Sequence, residues 1–171
     1  MSEPLASLHP KDVVIDDRLL KKTFLEHLNY IYYGKQHLLS FFNEVKELAT
    51  LNVLKLAILE VNDDTKDQLQ QLDKIYNSIG ERPSKTNTLS LKATTLEAYL
   101  AAIKTGKTPL ERDVFILFYL QQLEGIEIIY FKVLKNLAKA IGYSNSFLDQ
   151  PFDLALENKV MFEAIYKEYI T

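Results

Sequence analysis

The apolar residues of this chain recur at steps of three and four, the period of one helix face, over stretches far longer than an ordinary helix. Phe24, Leu28, Ile31, Leu38, Phe42 and Val45 form one stripe and predict a helix over 18–48. Leu54, Ile58, Val61, Leu72, Ile75 and Ile79 form a second, over 51–79, stopped by Gly80 and then Pro83. The third stripe is Ile116, Leu120, Leu123, Tyr130, Leu134, Leu137 and Ile141, closed by Gly142. Its helix opens on Thr108-Pro109-Leu110-Glu111, which combines an N-cap, a proline at the first helical position and a capping-box glutamate. A fourth helix is predicted from Pro151 to the C-terminus, with Leu154, Met161 and Ile165 on its stripe. At ~1.5 Å per residue the first three are about 45 Å long, and long helices with one apolar stripe each pack side by side as a bundle.

The two short links make antiparallel hairpins, whereas residues 81–108 are enough to travel back along the bundle. An all-α four-helix bundle with one long crossover is the ferritin-like topology. Within the crossover, Thr94-Thr95-Leu96-Glu97 reads as a capping box that opens a short fifth helix ending near Gly106. Residues 1–17, with Pro4 and Pro10 and no sustained period, read as an N-terminal arm, and residues 18–171 as the bundle domain.

Composition removes several function classes. The absence of cysteine excludes disulfides, thiolate metal sites and a cysteine nucleophile. With 20 basic against 23 acidic residues, and only Arg18, Arg82 and Arg112 as arginines, the chain lacks the positive field that nucleic acid or a membrane surface requires. The N-terminal stretch has neither the basic nor the apolar region of a signal peptide, and the longest apolar run, Val114–Leu120, is too short to span a membrane. A cytoplasmic location is expected. No phosphate-binding glycine loop or Ser-x-x-Lys motif indicates a small-molecule substrate.

The informative residues are those that break the stripes. Between Ile31 and Leu38 the period demands an apolar residue and finds Lys35; between Leu123 and Tyr130 it demands another and finds Glu127. The two stripes superpose at an offset of 92 residues, which sets Lys35 against Glu127. Glu124 borders the same face one turn earlier; Thr65 and Gln68 lie at mid-length of the second stripe, and Glu157 and Asn158 at that of the fourth. A buried charge must be paired or coordinated, so Lys35, Glu124, Glu127 and Glu157 form a candidate core ion cluster. Two readings of Lys35 stay open: its ammonium reaches an inward carboxylate, or it snorkels to solvent. Mid-level carboxylates are also how di-iron and di-manganese bundles hold metal. That chemistry uses Glu-x-x-His pairs, and none of His9, His27 and His37 follows a glutamate at that spacing.

The chain resembles the YciE/YciF-like ferritin-like family of bacterial stress-associated proteins. The resemblance spans roughly residues 17–165 and rests on Phe24-Leu25-Glu26-x-Leu28 with Ile31-Tyr32, on Ile79-Gly80-Glu81-Arg82-Pro83, and most clearly on Leu123-Glu124-Gly125-Ile126-Glu127-Ile128 running into Leu137-Ala138-Lys139-Ala140-Ile141-Gly142. It implies a carboxylate metal centre of which Glu124, Glu127 and Glu157 carry over. Lys35 stands where the family has an acid, Val61 and Gly125 where it has histidines, and Asn158 in its paired-glutamate position. The resulting expectation is a non-enzymatic bundle without cofactor, its di-metal site lost, associated with stress and acting through protein association. The alternative is a metal-binding member, a possible oxidase, holding iron or manganese on Glu124, Glu127 and Glu157.

Gly34 and Gly125 sit mid-helix at a cost of ~1 kcal/mol relative to alanine, either tolerated or serving close helix approach. Tyr30, Tyr32, Tyr33, Phe41 and Phe42 ring the first helix, more than one bundle face can bury, which leads to an expected homodimer through Tyr33 and Phe41.

Overall fold

The computed structural model describes residues 16–85, 89–103 and 107–170. Residues 1–15, most of the expected arm, lie outside this set, as does Gly106. Five helices follow in order: α1 Asp17–Leu48, α2 Asn52–Ile79, α3 Leu89–Ile103, α4 Pro109–Ala140 and α5 Ser146–Ile170. No strand occurs among the described residues. Helices α1, α2, α4 and α5 form the bundle; α3, in the crossover, packs across α1 and α4.

Local chemistry sets most helix ends. Asp16 caps α1, its carboxylate accepting from the Arg18 N–H, so the arm's last two residues, Asp16 and Asp17, belong to this helix start. Helix α4 opens with the full capping box, Thr108 accepting from the Glu111 N–H while the Glu111 carboxylate accepts from the Thr108 N–H. Gly80 and Gly142 close α2 and α4 at φ 71° and 74°, and the N–H groups of Glu81 and Tyr143 return to Tyr76 and Ala138. Helix α2 has no side-chain cap of its own. The buried Asp113 of α4 supplies one from across the bundle, accepting from the N–H groups of Thr50 (2.8 Å) and Leu51 (2.6 Å) and from the Thr50 hydroxyl (2.5 Å).

Three expectations are corrected. Helix α5 starts at Ser146, and Pro151 lies inside it. So near the N-terminus the ring removes a single intrahelical bond, and the preceding turn is held by Leu148 in the core and by Lys135–Asp149 at 2.7 Å. Thr94 does not begin α3, which is already helical from Leu89. Buried Leu91 anchors the earlier turn. Finally, the aromatic ring around α1 does not leave Phe41 for a second chain. Helix α3 covers it, with Leu91, Ala98 and Ala102 in the same buried cluster. The close approach explains Gly34, where a Cβ would collide with Leu91 Cδ1.

The hydrophobic core is divided. One buried cluster contains Phe24, Leu28, Ile31, Leu72, Phe131 and Leu134; the other contains Leu38, Phe42, Ile58, Leu120, Leu123 and Phe162. Between them lies a layer of buried polar side chains.

Candidate functional site

Each bundle helix contributes to that layer: Lys35 from α1, Thr65 and Gln68 from α2, Glu124 and Glu127 from α4, and Asn158 from α5, all buried. Lys35 sits in register with the α1 stripe, so the period that buries Ile31 and Leu38 also buries its ammonium. The side chain is 0% exposed and does not snorkel. Its Nζ donates to Glu127 Oε2 at 2.6 Å and to Gln68 Oε1 at 2.5 Å, and lies 5.5 Å from the Phe131 ring centroid. Gln68 is oriented for this, because its Nε2 donates to the Pro151 carbonyl at 2.8 Å and leaves its oxygen turned toward the lysine. The proline that interrupts α5 therefore positions a ligand of the core ammonium.

One ammonium faces two buried carboxyl groups. Burial raises the Glu124 pKa well above its ordinary value, and the nearby Glu127 and Asp64 raise it further, against the lowering by Lys35. The geometry pairs Lys35 with Glu127 and leaves Glu124 as the carboxyl whose ionised form burial disfavours. Glu124 Oε2 and Glu127 Oε1 are buried without hydrogen-bond partners, and a proton on Glu124 adds a donor where there would otherwise be acceptors alone. On the α2–α5 side, Asn158 bonds the side chain of Asp64, whose pKa is raised chiefly by partial burial.

This arrangement carries a pH signature. The folded-state pKa of Glu124 lies above its unfolded value near 4.5. Its contribution is fully present below that value and is lost as pH rises toward the folded pKa. Glu124→Gln removes this penalty. It should leave the urea midpoint near that of wild type at acid pH and raise it increasingly at higher pH; equal midpoints at pH 7 would show that Glu124 ionises freely in the fold.

Glu157, expected in the cluster, is exposed, and Asn158 occupies the inward place. The α5 stripe is shifted by one residue at two positions, with Ala155 and Phe162 buried where Leu154 and Met161 were expected, whereas Ile165 is buried as expected. With Glu157 outside, Val61 in the core and Gly125 carrying no side chain, the expected ligands reduce to the carboxyls of Glu124 and Glu127, and these face an ammonium. No group of three or more metal-ligating side chains exists among the described residues. A dinuclear carboxylate centre, which draws on about four carboxylates and two histidines, does not fit these residues. In the sequence Gln68 is visible on its stripe but not as the partner of Lys35, and the only signal for Asp113 is an acid one turn before Ile116 on the core face.

A four-helix bundle with one long crossover, carrying a polar layer of carboxyl groups at mid-height, defines a ferritin-like protein. Residues 19–150 match the family described as Domain of unknown function (DUF892), and the chain belongs to that family. It superposes on the E. coli stress protein YciF with a TM-score of 0.84 at 17% identity, covering 88% of this chain and 96% of that one. It superposes on YcfI of Rhodopseudomonas palustris, whose description proposes a structural role, with a TM-score of 0.72 at 22% identity, covering 93% and 98%. The resemblance to YciF-like proteins and the ferritin-like fold are thereby borne out. No curated protein matches the chain.

Proposed function

We propose that the chain is a non-enzymatic, stress-associated ferritin-like protein of the cytoplasm that acts by protein association, as a homodimer, with its di-metal site lost. The observation that carries this reading is the Lys35–Glu127 pair at 2.6 Å, sealed at mid-bundle. A dication bound to Glu127 and Glu124 would share the layer with an ammonium, and the repulsion between them in a water-poor interior opposes binding. In such a site the lysine supplies the positive charge that a metal supplies elsewhere. The stress association rests on the name of YciF, and a structural role agrees with the description of YcfI.

Metal analysis of protein purified without chelator tests the reading. We expect iron and manganese well below one equivalent per chain. About two equivalents retained through gel filtration, as a dinuclear centre would hold, would replace it with the metal-binding alternative.

A further inference from the structure

We propose that Tyr30 and Tyr130 form an oxidation site, at which a one-electron oxidant joins the two rings by a carbon–carbon bond and staples α1 to α4. The rings stack, with centroids 4.5 Å apart and planes 24° from parallel. The other tyrosine pairs in ring contact among the described residues, Tyr32 with Tyr33 and Tyr32 with Tyr76, meet edge-on at 83° and 87°. Tyr30 and Tyr130 are both half-buried, and with Glu26 and His27 they line an open cleft of about 370 Å³. A small oxidant can reach them there. Composition directs it to such rings: the chain has no cysteine and no tryptophan, which leaves its ten tyrosines as the side chains that most readily lose one electron.

The cleft also holds a base. His27 Nδ1 lies 2.9 Å from the Thr23 carbonyl oxygen, which can only accept, so in the neutral ring Nδ1 carries the proton and Nε2 the lone pair. The imidazole is 6.4 Å from the Tyr130 ring, centroid to centroid. A phenol is oxidised far more easily when its proton leaves with the electron. Tyr130 gives its electron to the oxidant and its proton to His27 Nε2. A second equivalent of oxidant takes an electron from Tyr30, whose proton passes to water in the cleft. Each phenoxyl radical carries spin density on the carbons ortho to oxygen, and offset parallel rings at this separation have their edges in contact. One ortho carbon of each ring forms the new bond. The hydrogen on each of these carbons then returns to a phenol oxygen, so the net change is the loss of two hydrogen atoms. Tyr30 lies five residues before Lys35 and Tyr130 three residues beyond Glu127. The bond therefore fixes the two helices that carry the buried ion pair.

Illuminating the full chain with tris(bipyridine)ruthenium and persulfate supplies such an oxidant. Dityrosine fluorescence should appear in the single-chain band on denaturing gels. The intact mass should fall by two hydrogens, and a tryptic digest should contain a linked pair of peptides joined at Tyr30 and Tyr130. The linked protein should unfold at higher urea, because the bond closes a long loop in the unfolded chain. Tyr30→Phe and Tyr130→Phe should each abolish the linkage, while Tyr32→Phe leaves it intact, all three with unchanged helical circular dichroism. His27→Ala should slow the reaction and added imidazole should restore its rate, which loss of a merely structural contact would not allow. Failure of that rescue would overturn His27 as the base. Linkage mapped chiefly to Tyr32, linkage found only between molecules, or tyrosine consumed without dityrosine would overturn the site.

Discussion

Lys35→Met and Glu127→Gln, made singly, should each lower the unfolding free energy by about 3–5 kcal/mol, because each strands a buried charge. Lys35→Met leaves Glu127 at mid-bundle without its ammonium, a buried carboxylate with no counter-charge. Glu127→Gln leaves the ammonium with two amide oxygens and, of its two carboxyl neighbours, Glu124 alone. The double variant Lys35→Met/Glu127→Leu should recover much of the loss. It makes both stripes continuously apolar and joins the two core clusters that the polar layer now separates. The pair is thus costly to break and of little net benefit to keep, since desolvation of two charges offsets most of their attraction. Urea midpoints of the four proteins test this; additivity within about 0.5 kcal/mol would contradict a coupled buried pair.

Asp113→Ala should cost about 2–3 kcal/mol, the range for a charged hydrogen-bonding group whose partners are left unsatisfied. The carboxylate is completely buried and is the acceptor for both Thr50 and Leu51 N–H groups at the start of α2. These donors have no intrahelical partner, and the preceding loop offers no side-chain cap. The negative charge also meets the positive end of the α2 dipole. Asp113→Asn should cost less, since its amide keeps one acceptor oxygen. Hydrogen exchange gives the site-specific check: the Thr50 and Leu51 amides should lose protection before the mid-helix amides of α2. Unchanged protection there would assign the loss to cavity formation in α4 instead.

Both predictions concern residues whose place on a stripe is readable but whose partners are not equally so. Lys35 and Glu127 could be paired from sequence because two long stripes align at one offset and both residues fall near mid-helix, where direction does not matter. Gln68 could not be added to the pair, because its amide is turned toward Lys35 by the Pro151 carbonyl, 83 residues away. Asp113 was obscured for a similar reason: its donors belong to a turn in another hairpin. Glu157 misled because α5 has two adjacent polar residues at mid-level, and a rotation of one residue exchanges exposed Glu157 for buried Asn158.

Sequence alone determined the helices, their ends at Asp16, Gly80, Thr108 and Gly142, and the presence of a polar level in the core. Those features follow from periodicity and capping, which act between residues a few positions apart. Tertiary structure decided that α3 covers Phe41, that α5 begins before its proline, and which mid-level residues face inward. These depend on contacts between segments distant in the chain. There, burial of Leu91 or Leu148 outweighs a local stop or start signal worth about 1 kcal/mol.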